Sequence, residues 1–416
     1  MEAVLARIDE VEPEVNAWIH LERDGALAQA KAADRRKRRP LLYGIPICVK
    51  DVIDVAGMPT TAGSANWSRM PVTDADAVGR LRAAGAIVVG KGNTNEFAFG
   101  IDGRNSHWGD CHNPDDPSRL SGGSSSGPAA ATASGMALGG LGTDTSGSIR
   151  VPASLCGLVG MRPTLNLIPM HGVFPLAHSY DVVGPLGRTA GDVAILMSAL
   201  LGRDAPEPMI APIDPAELRV AIAEDLLERA GEDVAALIAQ TTAELERRGA
   251  TLARVRVPEI QAVDNIHRTI QLYEVAQVHS GWFEVLKDDY EEPVRDRLEE
   301  GRKITASEYE AAQEDRIKVI AGFAEAMKDC DVLLAPATPV TAPLLASDTV
   351  TIDGDEISQR SALLSCVTSL SQLESPVITV PIGRIDGLPA GLQILGRPET
   401  EPLLLGVAGA VEAVVA

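Results

Sequence analysis

Cysteine is sparse and unpaired in this chain. Cys48, Cys111, Cys156, Cys330 and Cys366 are scattered over 416 positions, odd in number and without a CxxC pair. That pattern argues against a disulfide framework or a structural zinc site and leaves buried thiols in a reducing compartment. Positive charge is also short: 37 Lys and Arg against 58 Asp and Glu give a net charge of −21. Such a balance disfavours a binder of nucleic-acid phosphates and agrees with a self-repelling, cytoplasmic protein. Long hydrophobic runs are missing too, none approaching the roughly eighteen uninterrupted apolar residues of a membrane-spanning helix. The start of the chain, with Glu2, Arg7, Asp9 and Glu10, lacks the apolar core of a signal peptide.

There is, however, ample material for a core. Hydrophobic residues make up 45% of the chain, and its length allows one very large α/β domain or two domains. Val4, Leu5, Ile8 and Val11 fall at helical spacing, and a second helix is expected from about Ala26 to Lys37, stopped by Pro40. Further helices are expected at about Ala75–Ala84, Thr189–Leu201 and Glu232–Arg248, and over much of 264–329. The last of these opens on Thr305-Ala-Ser-Glu308, a capping box. Strand candidates occupy 41–55, 86–91, 219–225, 251–258, 331–338, 376–383 and 391–395, whereas 93–119 and 171–188 read as loop. Strands and helices mix from end to end without a linker or an internal repeat. The expected architecture is a single large α/β domain over 1–416, with a mixed central sheet covered by helices on both faces.

Three motifs lead away from function. The run Arg35-Arg36-Lys37-Arg38-Arg39 imitates a nucleic-acid or targeting patch, but cations at a helix C-terminus are favoured by the dipole alone. Gly85, Gly90 and Lys91 imitate a phosphate-binding loop, yet Gly92 stands where that loop needs Ser or Thr, and the intervening AIVV is strand-like. Gly123-Ser124-Ser125-Ser126-Gly127 fits the G-x-S-x-G elbow, although the preceding HNPDDPSRL is made of turn formers rather than a strand.

One stretch differs from everything else. Leu120 to Pro163 holds two glycine-framed hydroxyl clusters, Ser124-Ser125-Ser126 and Thr145-Ser146-Gly147-Ser148, joined by a segment of small residues expected to be a tightly packed helix. Glycines around hydroxyls point to backbone that turns tightly or lets something approach closely. A serine used as nucleophile needs a base. Seven histidines are available and none sits in a recognisable triad setting; His171 and His178 stay open as bases. Lys50, alone in the apolar run LLYGIPICVKDVIDV, is the stronger candidate, since burial lowers the pKa of an ammonium toward neutrality. On that segment alone, Lys50 also reads as an edge-strand gatekeeper or as a buried partner of Asp51.

Taken together, GIPICVKD, SGGSSSG and GTDTSGSIRVPASLCGLVGMRPT resemble the amidase signature family. The resemblance extends to GKGNTNEFAFG, HSYDVVGPLGRT, DVLLAPATPVTAP, SPVITVP and GLPAGLQILG. It implies a Ser-cisSer-Lys triad of Ser148, Ser124 and Lys50, with the two serines 24 residues apart as in the family. It also implies an oxyanion hole from the backbone N–H groups of Thr145, Ser146, Gly147 and Ser148, with Ser125, Asp144 and Arg150 supporting the loop. Ala98 and Ser124 would contact substrate, and Phe99 to Asp102 and Phe174 to Asp181 would line the acyl pocket. His178 or Arg104 could receive a carboxylate. The implied catalytic core spans about 41–200, a more variable helical segment about 204–330, and returning strands about 331–396.

The chain departs from the family in carrying Ser146 and Ser126 where glycine is common, changes that remove no backbone N–H. It also starts closer to its lysine than most relatives, so an N-terminal helix is expected to be missing or shortened. The function implied is hydrolysis of a small-molecule carboxamide or related C–N bond, with no cofactor, no metal, no membrane and no directly bound nucleic acid; a homodimer is compatible. Two alternatives stand beside it. One is the glutamine-hydrolysing A subunit of a tRNA-dependent amidotransferase, against which the short chain and CVTSLSQLESP at 366–376 are set. The other is a non-catalytic binding protein of the same fold.

Overall fold

Short apolar runs alternate with helical segments throughout the computed structural model, which describes residues 1–35, 39–202, 209–210 and 213–415. Its strands are β1 (Trp18–Leu21), β2 (Pro46–Lys50), β3 (Ile87–Gly92), β4 (Gly139–Asp144), β5 (Val159–Arg162), β6 (Val182–Gly187) and β7 (Arg219–Ala223). They continue with β8 (Thr251–Val255), β9 (Val332–Pro336), β10 (Thr349–Ile352), β11 (Asp355–Ser358), β12 (Val377–Ile385) and β13 (Leu388–Leu395). Eleven form one sheet in the order β1-β3-β2-β4-β6-β5-β12-β13-β9-β7-β8, and β10 and β11 pair as a separate hairpin. The sheet is mixed: β2 runs parallel to both β3 and β4, and β7 to both β8 and β9, while the strands between are antiparallel. The expected α/β class and single mixed sheet are what the structure shows.

Both faces of the sheet are covered, and two consecutive glycines of β4 demonstrate it. Successive residues of a strand point to opposite faces. A β-carbon on Gly139 would lie 3.0 Å from Leu196, in the helix Ala190–Leu200, whereas one on Gly140 would lie 2.9 Å from the Pro128 carbonyl, in the helix Ser126–Ala133. The second helix reads SGPAAATA with almost every residue buried, because it must sit directly on the sheet. At Gly127 a β-carbon would come within 2.1 Å of the Asn93 nitrogen.

The β-α-β unit is present, with β7 and β8 parallel around the helix Glu232–Arg247. The capping box at Thr305 and Glu308 is formed in both directions. Several local readings need correction. The strand expected over 41–55 is confined to Pro46–Lys50, since Leu41–Gly44 form a turn. The loop expected over 171–188 contains β6, an interior strand in which Pro185 lies opposite Leu141. Arg150–Leu155 is a helix despite Pro152, and the β10–β11 hairpin and the helix Glu401–Val415 were not anticipated. At the N-terminus a helix spans Glu2–Val15. The second helix runs Arg23–Ala33 and ends there, with Asp34 as its C-cap and Asp34–Arg35 in a turn, short of the expected Lys37; residues 36–38 of the basic run and the start of the 204–330 segment lie outside the described residues. No helix among the described residues is long and apolar enough to cross a membrane.

Candidate active site

Lys50 is the last residue of β2, and β2 and β4 are parallel neighbours, so both deliver their C-terminal ends to one region. Ligand sites in α/β sheets form at such ends. Lys50 is fully buried. Its Nζ donates to Ser124 Oγ at 2.8 Å and to Thr143 Oγ1 at 2.8 Å. Burial brings its ammonium down to about 7, against the opposite pull of Asp144 and Asp181. Neither alternative role holds: β2 is an interior strand, and Asp51 pairs instead with Lys91 Nζ at 3.0 Å. Lys91, the lysine of the false phosphate loop, is thus a buried cation with its own counterion, whereas Lys50 is bonded to hydroxyls.

The two serine clusters meet through the backbone. Ser125 N donates to Ser148 O at 3.1 Å, and Ser125 Oγ donates to Thr143 O at 3.1 Å. The Gly123–Ser124 peptide is cis. The Ser148 hydroxyl has no hydrogen-bond partner among the described residues, and Ser148 lines a narrow neck with Ala98, Phe99, Ser146 and Leu176. Gly147 permits the turn, with φ +110° and space for a β-carbon blocked by Val367 at 2.5 Å.

Asp144 holds this loop. Its carboxylate accepts from Gly147 N at 2.9 Å and Ile149 N at 3.1 Å, and takes the Arg150 guanidinium on both oxygens, each at 3.0 Å. Burial opposes its charge, but Arg150, Arg162 and the Gly147 N–H prevail and hold it well below the ordinary carboxylate value. Arg150 continues to Gln393 Oε1 at 2.7 Å and Ser371 Oγ at 2.6 Å, tying the loop to β13 and the segment before β12. Among the four N–H groups expected to form an oxyanion hole, that of Gly147 is therefore engaged by Asp144; those of Thr145, Ser146 and Ser148 have no acceptor among the described residues.

The flanking hydroxyls are anchored from distant segments. Thr145 Oγ1 donates to Asp181 Oδ1 at 2.6 Å, and burial raises Asp181 to about 6 against that bond. Ser146 Oγ accepts from Gln271 Nε2 at 2.8 Å and lies 2.7 Å from His267 Nε2. Gln372 Nε2 faces His267 Nδ1 at 2.9 Å, which makes Nδ1 the acceptor and Nε2 the donor to Ser146. Burial and the nearby Arg316 and Arg162 push His267 down to about 3, so it is neutral near pH 7.

The model of the Amidase family matches residues 1–405. The chain belongs to the amidase family. Curated relatives include the A subunit of the glutamyl-tRNA(Gln) amidotransferase of Anaeromyxobacter dehalogenans (strain 2CP-C), 38% identical, with 99% of this chain and 92% of that protein covered. Its counterpart of the same name from Chloroflexus aggregans is 35% identical over the same shares. Among solved structures, one described as an amidase superposes with a TM-score of 0.94 at 33% identity, covering 100% of this chain and 95% of that one. The peptide amidase from Stenotrophomonas maltophilia gives 0.86 at 31%, covering 100% and 92%.

Within the amidase frame, the structure brings Lys50 to Ser124 and joins the Ser124 and Ser148 loops. It does not bring the other proposed bases there. His171 and His178 are about three-quarters exposed and face Asp76 and Glu274. Arg104 donates to the carbonyls of Leu345 and Ser347, and neither Arg104 nor His178 lines the neck at Ser148. Phe174 packs with Trp67 and Phe97 rather than on the neck, and Asp102 accepts from Asn95 at 2.6 Å. Thr143, Arg162, His267 and Gln271 went unnoticed in the sequence. Arg162 donates to Asp144 O at 2.6 Å and Tyr180 O at 2.8 Å, a contact that only the folded chain creates.

Proposed function

We propose that the chain hydrolyses a carboxamide through an acyl-enzyme on Ser148. The observation that supports this most is Lys50: buried, without a counterion in contact among the described residues, and bonded to Ser124 beside the Ser148 loop. Neutral Lys50 takes the proton of Ser124 as Ser124 takes that of Ser148. Ser148 Oγ bonds to the carbonyl carbon, and the N–H groups of Thr145, Ser146 and Ser148 receive the oxyanion. The C–N bond breaks as Ser124 returns a proton to the departing nitrogen, and Lys50 reprotonates Ser124. Water then adds to the ester by the reverse relay, releasing the acid.

The curated relatives favour the glutamine-hydrolysing amidotransferase component, placed second on sequence alone, over a free-standing amidase. In that reading the ammonia passes to a partner, and glutamine is the first substrate to assay. The non-catalytic reading is opposed by the intact lysine and serines. Ammonia release by the purified chain from L-glutamine and from simple aliphatic amides tests the proposal. We expect release together with fluorophosphonate labelling of Ser148; absence of both overturns it. Activity on simple amides without a partner supports the free-standing form, and activity only on glutamine or with added partner chains supports the other.

Thr143 supplies a smaller test. An acceptor at 2.8 Å favours the ammonium form of Lys50, so Thr143→Val lowers the pKa of the amine. The midpoint of kcat/KM against pH is expected to move below that of the parent; an upward shift would contradict the assignment.

A further inference from the structure

Two residues before the nucleophile, the Ser146 hydroxyl is bonded in a way that leaves its proton one direction. A hydroxyl has one proton to donate and two lone pairs to accept with. Both lone pairs of Ser146 Oγ are taken by the helix Val263–His279: Gln271 Nε2 donates at 2.8 Å, and His267 Nε2 lies at 2.7 Å. The direction of the second bond is fixed from the far side of the ring. Gln372 Nε2 donates to Thr368 O at 3.2 Å, and Tyr180 Oη donates to Gln372 Oε1 at 3.0 Å, so the nitrogen of that amide is the atom facing His267 Nδ1 at 2.9 Å. Nδ1 therefore accepts, the single ring proton is on Nε2, and Nε2 donates to Ser146. Burial and the neighbouring Arg316 and Arg162 push His267 down to about 3, which excludes a second ring proton near pH 7.

The proton of Ser146 is what remains. It has no acceptor among the described residues, although the residue is only 6% exposed and lines the neck with Ser148. Tetrahedral geometry at the oxygen turns the O–H away from both donors, and it can turn back only by displacing one of them. A buried donor left without a partner is costly. The neck offers about 10 Å³, room on the scale of one water. Such a space takes a carboxamide and no second polar group. The amide nitrogen brings only donors, so the one acceptor that can enter is the carbonyl oxygen.

We propose that the Ser146 side chain is a further catalytic residue, its hydroxyl donating a hydrogen bond to the scissile carbonyl oxygen and to the oxyanion formed from it, with His267 and Gln271 as positioning residues that aim the proton. The proposal rests on the acyl-enzyme reading for what enters the neck. As Ser148 Oγ bonds to the carbonyl carbon, the π pair of the C=O bond moves onto its oxygen, and the bond from Ser146 strengthens without transfer of its proton. It weakens again when the C–N bond breaks and the carbonyl re-forms. A donor already aimed needs no reorientation at the moment charge develops.

The rate at which a fluorophosphonate labels Ser148 reads this donor, because the phosphoryl oxygen takes the place of the amide oxygen. In the full chain, Ser146→Ala is expected to label about 10²-fold more slowly than the parent at every pH from about 5 to 10. The midpoint of the curve should stay where it is, since the relay from Lys50 through Ser124 is intact; a displaced loop would move it. Ser146→Thr, which keeps the hydroxyl, should recover most of the rate. His267→Leu should slow labelling, and His267→Gln, which keeps a donor toward Ser146, should restore part of it. In the Ser146→Ala chain, His267→Leu should add nothing, because both changes act on one hydrogen bond. The proposal is overturned by Ser146→Ala labelling within about threefold of the parent, by a shifted midpoint, or by an additive effect of His267→Leu. Thermal unfolding shows whether each variant is folded; if Ser146→Ala is not, equal rates in His267→Leu and His267→Gln overturn the proposal. Labelling of the parent without dependence on Ser146 removes this proposal alone, whereas a parent that neither labels at Ser148 nor releases ammonia removes the acyl-enzyme reading and this proposal with it.

Discussion

Replacing Lys50 with methionine is expected to lower kcat by roughly 10²–10⁴-fold, the range that a positioned base supplies, while leaving stability unchanged or higher. Methionine keeps an unbranched apolar stem in the interior strand, and the pairing of β2 with β3 and β4 is made by backbone. The sign of the stability effect follows from proton linkage. Burial brings Lys50 from 10.5 down to about 7. Between those values the unfolded chain binds a proton that the folded chain does not, so stability rises with pH across that window. At pH 7 the native lysine is therefore a net cost that methionine removes. Steady-state kinetics and thermal unfolding of the two proteins check both halves: a near-normal kcat would contradict the base assignment, and a large loss of stability would make Lys50 a structural residue.

Asp144→Asn is expected to have the largest effect on stability. The carboxylate is fully buried against Arg150 and receives two backbone N–H groups of the Ser148 loop. Asparagine conserves the shape but removes the charge, leaving Arg150 and Arg162 buried without their counterion. Removing one partner of a buried ion pair costs about 3–5 kcal/mol, a large part of the roughly 5–15 kcal/mol that holds a protein folded. The native carboxyl is held below its ordinary value. Its contribution is accordingly present above the unfolded pKa of 3.8 and is lost as pH falls through the folded pKa. Denaturant midpoints of parent and variant near pH 7 measure the loss, and a difference below about 1 kcal/mol would show that the loop is held by other contacts.

What the sequence disclosed and what it withheld have physical causes. Lys50 was legible because one lysine in an apolar strand is conspicuous, and the hydroxyl clusters because their glycines answer to backbone demands such as the positive φ of Gly147. Asp144 and Arg150 were reached only through the family resemblance, which implies that they support the loop; their ion pair is what the structure adds. His267 and Gln271 were not, since they reach the Ser146 hydroxyl from a helix more than a hundred residues away and carry no local pattern. Strand β6 was hidden by Gly184, Pro185 and Gly187, which resemble a turn. They are tolerated there because neighbouring chains pack so closely that a β-carbon on Gly184 would meet the Met161 carbonyl at 2.1 Å. Asp51 beside Lys50 suggested an ion pair, yet adjacent residues diverge, and the carboxylate found Lys91 on the next strand.

The rate at which a fluorophosphonate labels Ser148, followed from pH 5 to 10, tests the central claim most directly, because it reads activation of the nucleophile without requiring the right amide. With neutral Lys50 as the base, the rate is expected to rise along a single-proton curve with a midpoint at about 7, and to fall to a low, featureless level in Lys50→Met. A midpoint near 10, or a rate in Lys50→Met that matches the parent, would contradict it.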